Sequence, residues 1–387
     1  MGTGLIAIAA FWAAFLFLLY TYIGYPLLAY IRSVWALRRV AKNKIYAPPI
    51  SVLIVAHNEE KVIRRKLENI LSLKYYGERP EIIVASDGST DNTNKIVSEF
   101  TDRGVSLLMF PQRTGKTQVL NQAIPTCGGE IVILSDARQI YAEDAFCELI
   151  ANFSDTSIGA VTGDLQFQAF PDSKDGEQIG LYWRYEKWIR KLQSNRDSTP
   201  VVTGAIYAVR RSLFRALPKT CIADDLAMPM MIIMQNRRVI FDPEAKAFDN
   251  YSRTLKEEFS RRVRTIAGSY QYLAKVPSVL NPRINRIWFD FMSHKVCRIL
   301  APFALFILLV SNIVMSASWT YRVILVFQIG FYILAGIGAI LAARGRVPKP
   351  LAAPYTFLML NIAASVALFK LMAGTQTHLW EKTKRMG

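Results

Sequence analysis

Two short stretches decide the fold: Val52-Leu-Ile-Val-Ala-His57-Asn58-Glu59-Glu60 and Ile82-Ile-Val-Ala-Ser86-Asp87-Gly88-Ser89-Thr90-Asp91. Each is an apolar, β-branched run that ends abruptly in polar groups and a turn, as a buried strand feeding a helix does. Working outward, the same pattern recurs. The apolar runs are Ile50–Ala56, Glu81–Ser86, Val105–Phe110, Ile131–Ser135 and Ile158–Gly163. Helix-like stretches near Glu59–Leu73, Asp91–Phe100, Lys116–Ile124 and Ala142–Phe153 lie between them. Short strands alternating with helices predict βαβ units and an α/β domain with a mostly parallel sheet, whose ligands bind at the carboxyl ends of the strands. Beyond about Arg210 the alternation gives way to helix-like segments, ending in Phe259–Leu273.

At 52% hydrophobic and 20% charged residues, with a mean hydropathy of +0.20, the chain of 387 residues is too apolar for an ordinary soluble protein and too charged for a pure helix bundle. Thr3–Ile31, Ile299–Tyr321, Val323–Ala343 and Pro350–Phe369 carry no charge. Each is long enough to cross roughly 30 Å of hydrocarbon as a helix. The layout is then an N-terminal membrane helix with a basic flank over 1–45, a soluble domain over 46–275, an interfacial segment over 276–298 and about three membrane helices over 299–387. The interfacial reading rests on Ile284, Ile287, Trp288, Phe291 and Met292, which fall at helical spacing among Arg283, Arg286, Lys295 and Arg298.

Arg32, Arg38, Arg39, Lys42 and Lys44 follow the first apolar run, which places them and the soluble domain on the cytoplasmic side of a plasma (inner) membrane. Three further crossings would then put Lys382, Lys384 and Arg385 outside, against the same rule, unless one C-terminal run is re-entrant or interfacial. The net charge of +17 suits anionic lipid surfaces and nucleotide diphosphates. No zinc-ligand spacing or recognition-helix motif accompanies it, so nucleic acid is excluded as a partner. Cys127, Cys147, Cys221 and Cys297 form no CxxC pair and read as reduced packing residues.

Six motifs carry chemistry. His57-Asn58-Glu59-Glu60 and Ser86-Asp87-Gly88-Ser89-Thr90-Asp91 put polar groups at two adjacent strand mouths; helix capping explains part of them, and one crevice able to accept a base and ribose explains both. Arg113-Thr-Gly115-Lys116-Thr117 offers a Lys at a helix start. It is not a P-loop, because Phe110 stands where the first Gly is required. Ser135-Asp136-Ala137-Arg138 ends a strand in one carboxylate able to hold a divalent cation on a diphosphate. Ala223-Asp224-Asp225-Leu226 pairs two acids, one a candidate general base and both also natural helix caps. Arg261-Arg262-Val-Arg264-Thr265 is the sixth, a solvated basic face if it is not part of a site.

In order and spacing these motifs resemble the cytoplasmic GT-A domain of membrane-bound family 2 glycosyltransferases, the group of cellulose, chitin and hyaluronan synthases and of many bacterial exopolysaccharide enzymes. The resemblance covers roughly Pro49 to Leu273. It implies a nucleotide-sugar donor, UDP-linked, a lipid-linked or nascent glycan acceptor, and a divalent cation, Mg2+ or Mn2+. Ala56, Asn58 and Glu59 resemble the nucleoside-binding strand end, with His57 in place of a usual Tyr; Asp87 resembles the acid that contacts uracil, and Lys116 the basic residue on the nucleotide. Asp136 resembles the first Asp of the D-x-D metal motif, and Asp225 the catalytic base of an inverting transfer. Asp224, Gly204 within Thr203-Gly204-Ala205, Arg210, Arg211, Trp183 and Glu186 look like acceptor-side or diphosphate-side elements, as do Arg261 and Arg264.

Two departures matter. Arg138 replaces the second Asp of D-x-D and could itself take up phosphate charge. Thr265 replaces the Trp of Q-x-x-R-W, and Arg261 its Gln. That Trp stacks the acceptor in the processive enzymes, so its loss favours addition of one or a few sugars over a processive synthase. Four membrane helices are also few for a polymer channel, although a homo-oligomer would double them. A non-catalytic membrane scaffold is the reading from another class, and Asp87, Asp136 and Asp225 speak against it.

Overall fold

The computed structural model describes residues 2–168, 176–250, 255–344 and 347–377. Arg346 and the basic tail with Lys382, Lys384 and Arg385 lie outside the described residues. The strands are β1 (Ile50–Ala56), β2 (Glu81–Asp87), β3 (Val105–Phe110), β4 (Ile131–Asp136), β5 (Ile140–Tyr141), β6 (Ile158–Gln168), β7 (Tyr207–Arg210) and β8 (Arg238–Asn250). The soluble helices are α3 (Ile63–Ser72), α4 (Thr93–Ser98), α5 (Lys116–Ala123), α6 (Ala145–Ala151), α7 (Gly176–Arg196), α8 (Asp224–Ile233) and α9 (Leu255–Lys275). Flanking them are α1 (Gly2–Leu19), α2 (Tyr25–Trp35), α10 (Trp288–Phe291), α11 (Cys297–Val314), α12 (Trp319–Ala343) and α13 (Lys349–Met372).

Among the described residues the strands form one sheet in the order β3-β2-β1-β4-β7-β6-β8-β5. β1 pairs in parallel with β2 and β4, β2 with β3, and β6 with β8; β7 runs antiparallel between β4 and β6, and β5 antiparallel to β8. Every residue of β1 is buried, as expected of a strand covered on both faces. Alternate residues feed two cores. Leu53, Val55, Ile83, Ala85, Val132 and Leu134 face one, and Val52, Ile54, Ile82, Val84, Ile131 and Ile133 face the other. The predicted strand runs are therefore present, with β6 extended to Gln168.

Past Arg210 the sequence reading needs correction, because β8 is a strand of 13 residues where helix-like segments were expected. Its pairing with β6 shifts register between Thr162 and Asp164. The segment 277–298 is not one amphipathic helix either. It is a 3-10 turn over Pro277–Leu280, the short α10 and a π-helical turn over Met292–Val296. Within α10 the buried Asp290 accepts from Arg32 (3.0 Å) and Arg196 (2.9 Å), which fastens the segment to α2 and α7.

Four helical stretches are long and apolar enough to cross a membrane: 4–35, 288–314, α12 and α13. Ala7 and Phe11 of α1 pack with Met315 at the far end of α11. By contrast, α13 packs along α9 of the soluble domain, with Ala363 and Ala367 on Val263 and Ala267. All four cysteines are free, three of them buried, in line with packing roles.

Candidate active site

The polar groups converge at the carboxyl ends of β1, β2 and β4. After β1, Asn58 sits at φ 55°, in the left-handed region that Asn tolerates. Its Oδ1 accepts from the backbone N–H groups of Thr90 (2.7 Å) and Asp91 (3.4 Å), and its own N–H donates to Ser89 Oγ (3.1 Å). The Glu59 N–H donates to Thr93 Oγ1 at 2.7 Å. Asn58 is therefore not the cap of the next helix, which starts only at Ile63; it fastens the first strand mouth to the second. Ala56 is buried in register with Ser86, and His57 Nδ1 lies 2.6 Å from the Asp87 carbonyl oxygen.

Asp87 is wholly buried, and its carboxylate is committed to the next loop. It accepts from Thr114 N–H (2.6 Å), Thr114 Oγ1 (3.2 Å) and Gly115 N–H (2.9 Å). This loop delivers Lys116 at the start of α5. Gly88 makes the approach possible: at φ +61° it leaves no room for a Cβ, which would lie 2.6 Å from the Arg113 nitrogen. Replacing Asp87 by Ala leaves two buried N–H groups unmatched, each costing about 1–3 kcal/mol. The expected outcome is weaker binding of uridine diphosphate to the detergent-solubilised protein, by tenfold or more in calorimetry, through displacement of the Lys116 loop.

The Lys116 ammonium is held between two carboxylates, 2.9 Å from Asp136 Oδ1 and 3.2 Å from Asp224 Oδ2. Burial works against its charge, but attraction to Asp136 and Asp224 outweighs this and holds its pKa well above the ordinary lysine value. Gly204 borders the same slot, where a Cβ would stand 3.4 Å from Lys116 Nζ. Beside Asp136, Arg138 Nη2 lies 2.7 Å from Asp249 Oδ2 at the end of β8, and Gln139 Nε2 donates to the same carboxylate at 2.9 Å. One edge of the Arg138 guanidinium is thus already engaged.

Asp225 follows Asp224 in the first turn of α8. Burial and the adjacent Asp224 push its pKa above the ordinary aspartate range, against the pull of Lys295, Lys116 and Arg190. Asp225 lines a cavity of about 370 Å³ that extends past Trp183, Glu186 and Arg190 to α13. In α9, Arg264 lies within electrostatic reach of Asp224, Asp225 and Asp136, and its Nε is buried without a hydrogen-bond partner. Arg261 turns instead to Glu258, as does Arg262, whose Nε donates to it at 2.7 Å.

Glu186 pairs with Arg298 and lies 3.3 Å from His294. Trp183 donates from Nε1 to the Leu165 carbonyl (2.8 Å), with Phe167 against its ring at 5.6 Å and Arg190 over it at 5.3 Å. Its ring is therefore already packed. Arg210 and Arg211 are not part of the site. Arg210 is in register with Ile131, at the opposite end of β4 from Asp136, and bonds Glu130 and the Ile158 carbonyl.

Sequence reasoning missed Lys66. This lysine of α3 is fully buried, donates to the Gln139 carbonyl at 2.7 Å and stands 3.8 Å over the Tyr141 ring. Burial pushes its pKa down to about 7, with Asp136 pulling the other way. It buttresses the turn that carries Asp136 and Arg138.

No set of three or more His, Cys, Asp and Glu side chains converges on a metal position among the described residues. A cation shared with a diphosphate needs less, one or two carboxylates with phosphate oxygens and water supplying the rest. Asp136, 41% exposed in its side chain and next to Asp224 across Lys116, fits that sparser role.

Residues 51–217, within the soluble domain, match the model of Glycosyl transferase family 2. Helices long and apolar enough to cross a membrane lie at both ends of that domain. Among its relatives, the poly-beta-1,6-N-acetyl-D-glucosamine synthase of Staphylococcus aureus is 27% identical over 281 residues, covering 71% of this chain and 63% of that protein. The probable glycosyltransferase YdaM of Bacillus subtilis is 27% identical over 270 residues, covering 64% of this chain and 62% of that one. The chain thus spans less than two thirds of the length of the curated relatives it matches. A mannosyltransferase from Pyrobaculum calidifontis, solved with GDP-mannose and Mn2+, shares the fold over 95% of this chain and 98% of its own, with a TM-score of 0.71 and 24% identity. The expected GT-A architecture is present.

Proposed function

We propose that the protein is an inverting glycosyltransferase that moves one sugar at a time from a nucleoside-diphosphate sugar to an acceptor at the membrane, in cell-surface polysaccharide synthesis. One observation carries this reading. Asp225 lies next to the Lys116–Asp136–Asp224 cluster in the chain and also lines the cavity that reaches the apolar helices. A donor diphosphate over Lys116 and Arg264 and an acceptor hydroxyl at Asp225 would meet there. In a single displacement the hydroxyl proton passes to Asp225, the oxygen bonds to the anomeric carbon, and the nucleoside diphosphate leaves with the electron pair. A divalent cation, Mg2+ or Mn2+ held by Asp136, would neutralise charge on the leaving diphosphate. Lys116 and Arg264 offset the same charge from the protein.

Uridine remains our reading of the base, and the GDP-mannose of the Pyrobaculum calidifontis enzyme makes guanosine the main competitor. A panel of nucleotide-sugars given to purified enzyme with membrane lipid, read by release of nucleoside diphosphate, tests this. Turnover with UDP-sugars is expected, and turnover with GDP-mannose alone overturns the choice of base. The synthase relatives favour a second reading, a processive polymerase. Against it, Thr265 offers no aromatic face where the processive enzymes carry a Trp, and the Trp183 ring is packed by Phe167 and Arg190.

We also read α1, α11 and α12 as the crossings and α13 as interfacial. Its second half runs beside α9 of the soluble domain, Asn361 meets Tyr22, and Gly338 late in α12 meets Tyr355 and Leu351. On this reading both the catalytic domain and the sequence of the tail with Lys382, Lys384 and Arg385 lie in the cytoplasm, in accord with the charge rule. In a cysteine-free background, Thr377→Cys is expected to react with an impermeant maleimide only after cells are permeabilised. Labelling of intact cells would overturn this topology.

A further inference from the structure

One buried hydroxyl beside the Lys116–Asp136–Asp224 cluster has no partner. Tyr207 opens β7, is wholly buried, and its hydroxyl makes no hydrogen bond. The register of the sheet explains its position. Tyr207 stands opposite Leu134 in the antiparallel pair of β7 and β4, and opposite residues share a face. Asp136, two residues on from Leu134, is therefore its diagonal neighbour on that face, a separation that an aromatic side chain spans. Tyr207 also shares a core with Leu134 and with Ala223, the residue before Asp224. The phenol feels these neighbours. Burial and then the charge of Asp224 hold its pKa well above the ordinary tyrosine value, with Asp136 and Asp225 adding to the effect and Lys116 opposing it. It therefore keeps its proton and stands as a donor.

Asp224 has the complementary deficit. Its Oδ2 lies 3.2 Å from Lys116 Nζ yet accepts no hydrogen bond, and this ion pair is its only one among the described residues. A diphosphate arriving at the site would draw Lys116 away, together with Arg264, which acts on Asp224 from α9. Asp136, 41% exposed in its side chain, can then turn to water or to a cation. Asp224, 13% exposed, has less access to water. A nearly buried carboxylate that loses its cation is costly unless a hydrogen bond takes the cation's place. Tyr207 is the buried donor on hand.

Building on the donor site of the proposed transferase, we propose that Tyr207 is a positioning residue that donates a hydrogen bond to Asp224 when Lys116 moves onto the donor diphosphate. The exchange frees the ammonium for the phosphates and keeps Asp224 matched beside Asp225. The hydroxyl touches no substrate and takes no part in bond making. A tyrosine that only filled the core would need no oxygen here, since phenylalanine avoids the cost of an unmatched buried hydroxyl.

Tyr207→Phe removes that oxygen and keeps the ring. Calorimetry on the full-length detergent-solubilised chain, with Mn2+ present, follows the binding of uridine diphosphate and guanosine diphosphate, and melting curves are taken on the same samples. The variant is expected to melt no lower than the unmodified chain and to bind its nucleotide roughly tenfold more weakly, as for loss of one hydrogen bond to a charged group. In an Asp224→Asn background the penalty of Tyr207→Phe should shrink to about twofold or less, because the carboxylate that calls for the hydroxyl is gone. Unchanged affinity in Tyr207→Phe would overturn the proposal and leave Tyr207 a packing residue. An equal penalty in both backgrounds would also overturn it, by placing the partner of the hydroxyl elsewhere. A lower melting temperature would do the same, since the hydroxyl would then already support the resting fold. Failure of the donor reading would look different: neither nucleotide would bind the unmodified chain, and the proposal would fall with it.

Discussion

Asp225→Asn is expected to lower turnover by about 10²–10⁴-fold while uridine diphosphate binds within a few-fold of the unmodified protein, since a general base acts on the acceptor and not on the donor. The structure adds a pH signature. Burial and Asp224 raise the Asp225 pKa, so the carboxylate becomes competent as a base only above the ordinary aspartate range near 3.9. The acid limb of the rate–pH profile should therefore lie above that value and vanish in the variant. The same shift has a stability sign. A folded-state pKa above the unfolded value means that the fold disfavours the ionised carboxylate, at a cost fully felt once the pH exceeds both values. Asparagine removes that cost, so the variant should melt no lower than the unmodified protein near neutral pH. Wild-type turnover by this variant in a product-release assay would shift the base to Asp224.

Lys116→Met should be the more damaging change to donor binding. It withdraws the cation that Asp136 and Asp224 share at 2.9 and 3.2 Å, leaving two carboxylates facing one another beside an incoming diphosphate. Loss of one charged hydrogen bond to a ligand is about 1.5–3 kcal/mol, or roughly 10–100-fold in affinity, and the like-charge contact adds to it. Combining Lys116→Met with Asp224→Asn separates the two effects. Thermal stability should largely recover, and calorimetric affinity for uridine diphosphate should not. Recovery of both would mean that Lys116 only neutralises the carboxylates and makes no contact with the donor.

The parts of the fold legible in the sequence are those with local causes. β1 to β4 announce themselves as short β-branched runs closed by polar turns, and the groups at their ends had to share one edge once the sheet was parallel. β8 was hidden because Asp242, Pro243, Glu244 and Lys246 interrupt its apolar pattern; pairing with β6 across a register shift overrides them. Lys66 carries no local signal within its helix, and what buries it, Gln139 and Tyr141, arrives more than seventy residues later. Likewise Asp87, Asp136, Asp224 and Asp225 were visible as candidates, but the engagement of Asp87 with Thr114 and Gly115 was not. A carboxylate at a strand mouth looks the same whether it faces a ligand or a loop. The acceptor cavity has no motif, since α7, α8, α9, α11 and α13 each supply only a few of its residues. The one trace in the sequence was Lys295 and Arg298 at the edge of a charge-free run.

The pairing of Arg138 with Asp249 ties two distant stretches of chain to one charge balance. The end of β8 brings the Asp249 carboxylate to the mouth of β4, 2.7 Å from the Arg138 guanidinium. An Asp at position 138 would set a second acid against the buried Asp249 and remove the arginine that offsets it. The two positions therefore act as one electrostatic unit, in which a charge change at one is felt at the other.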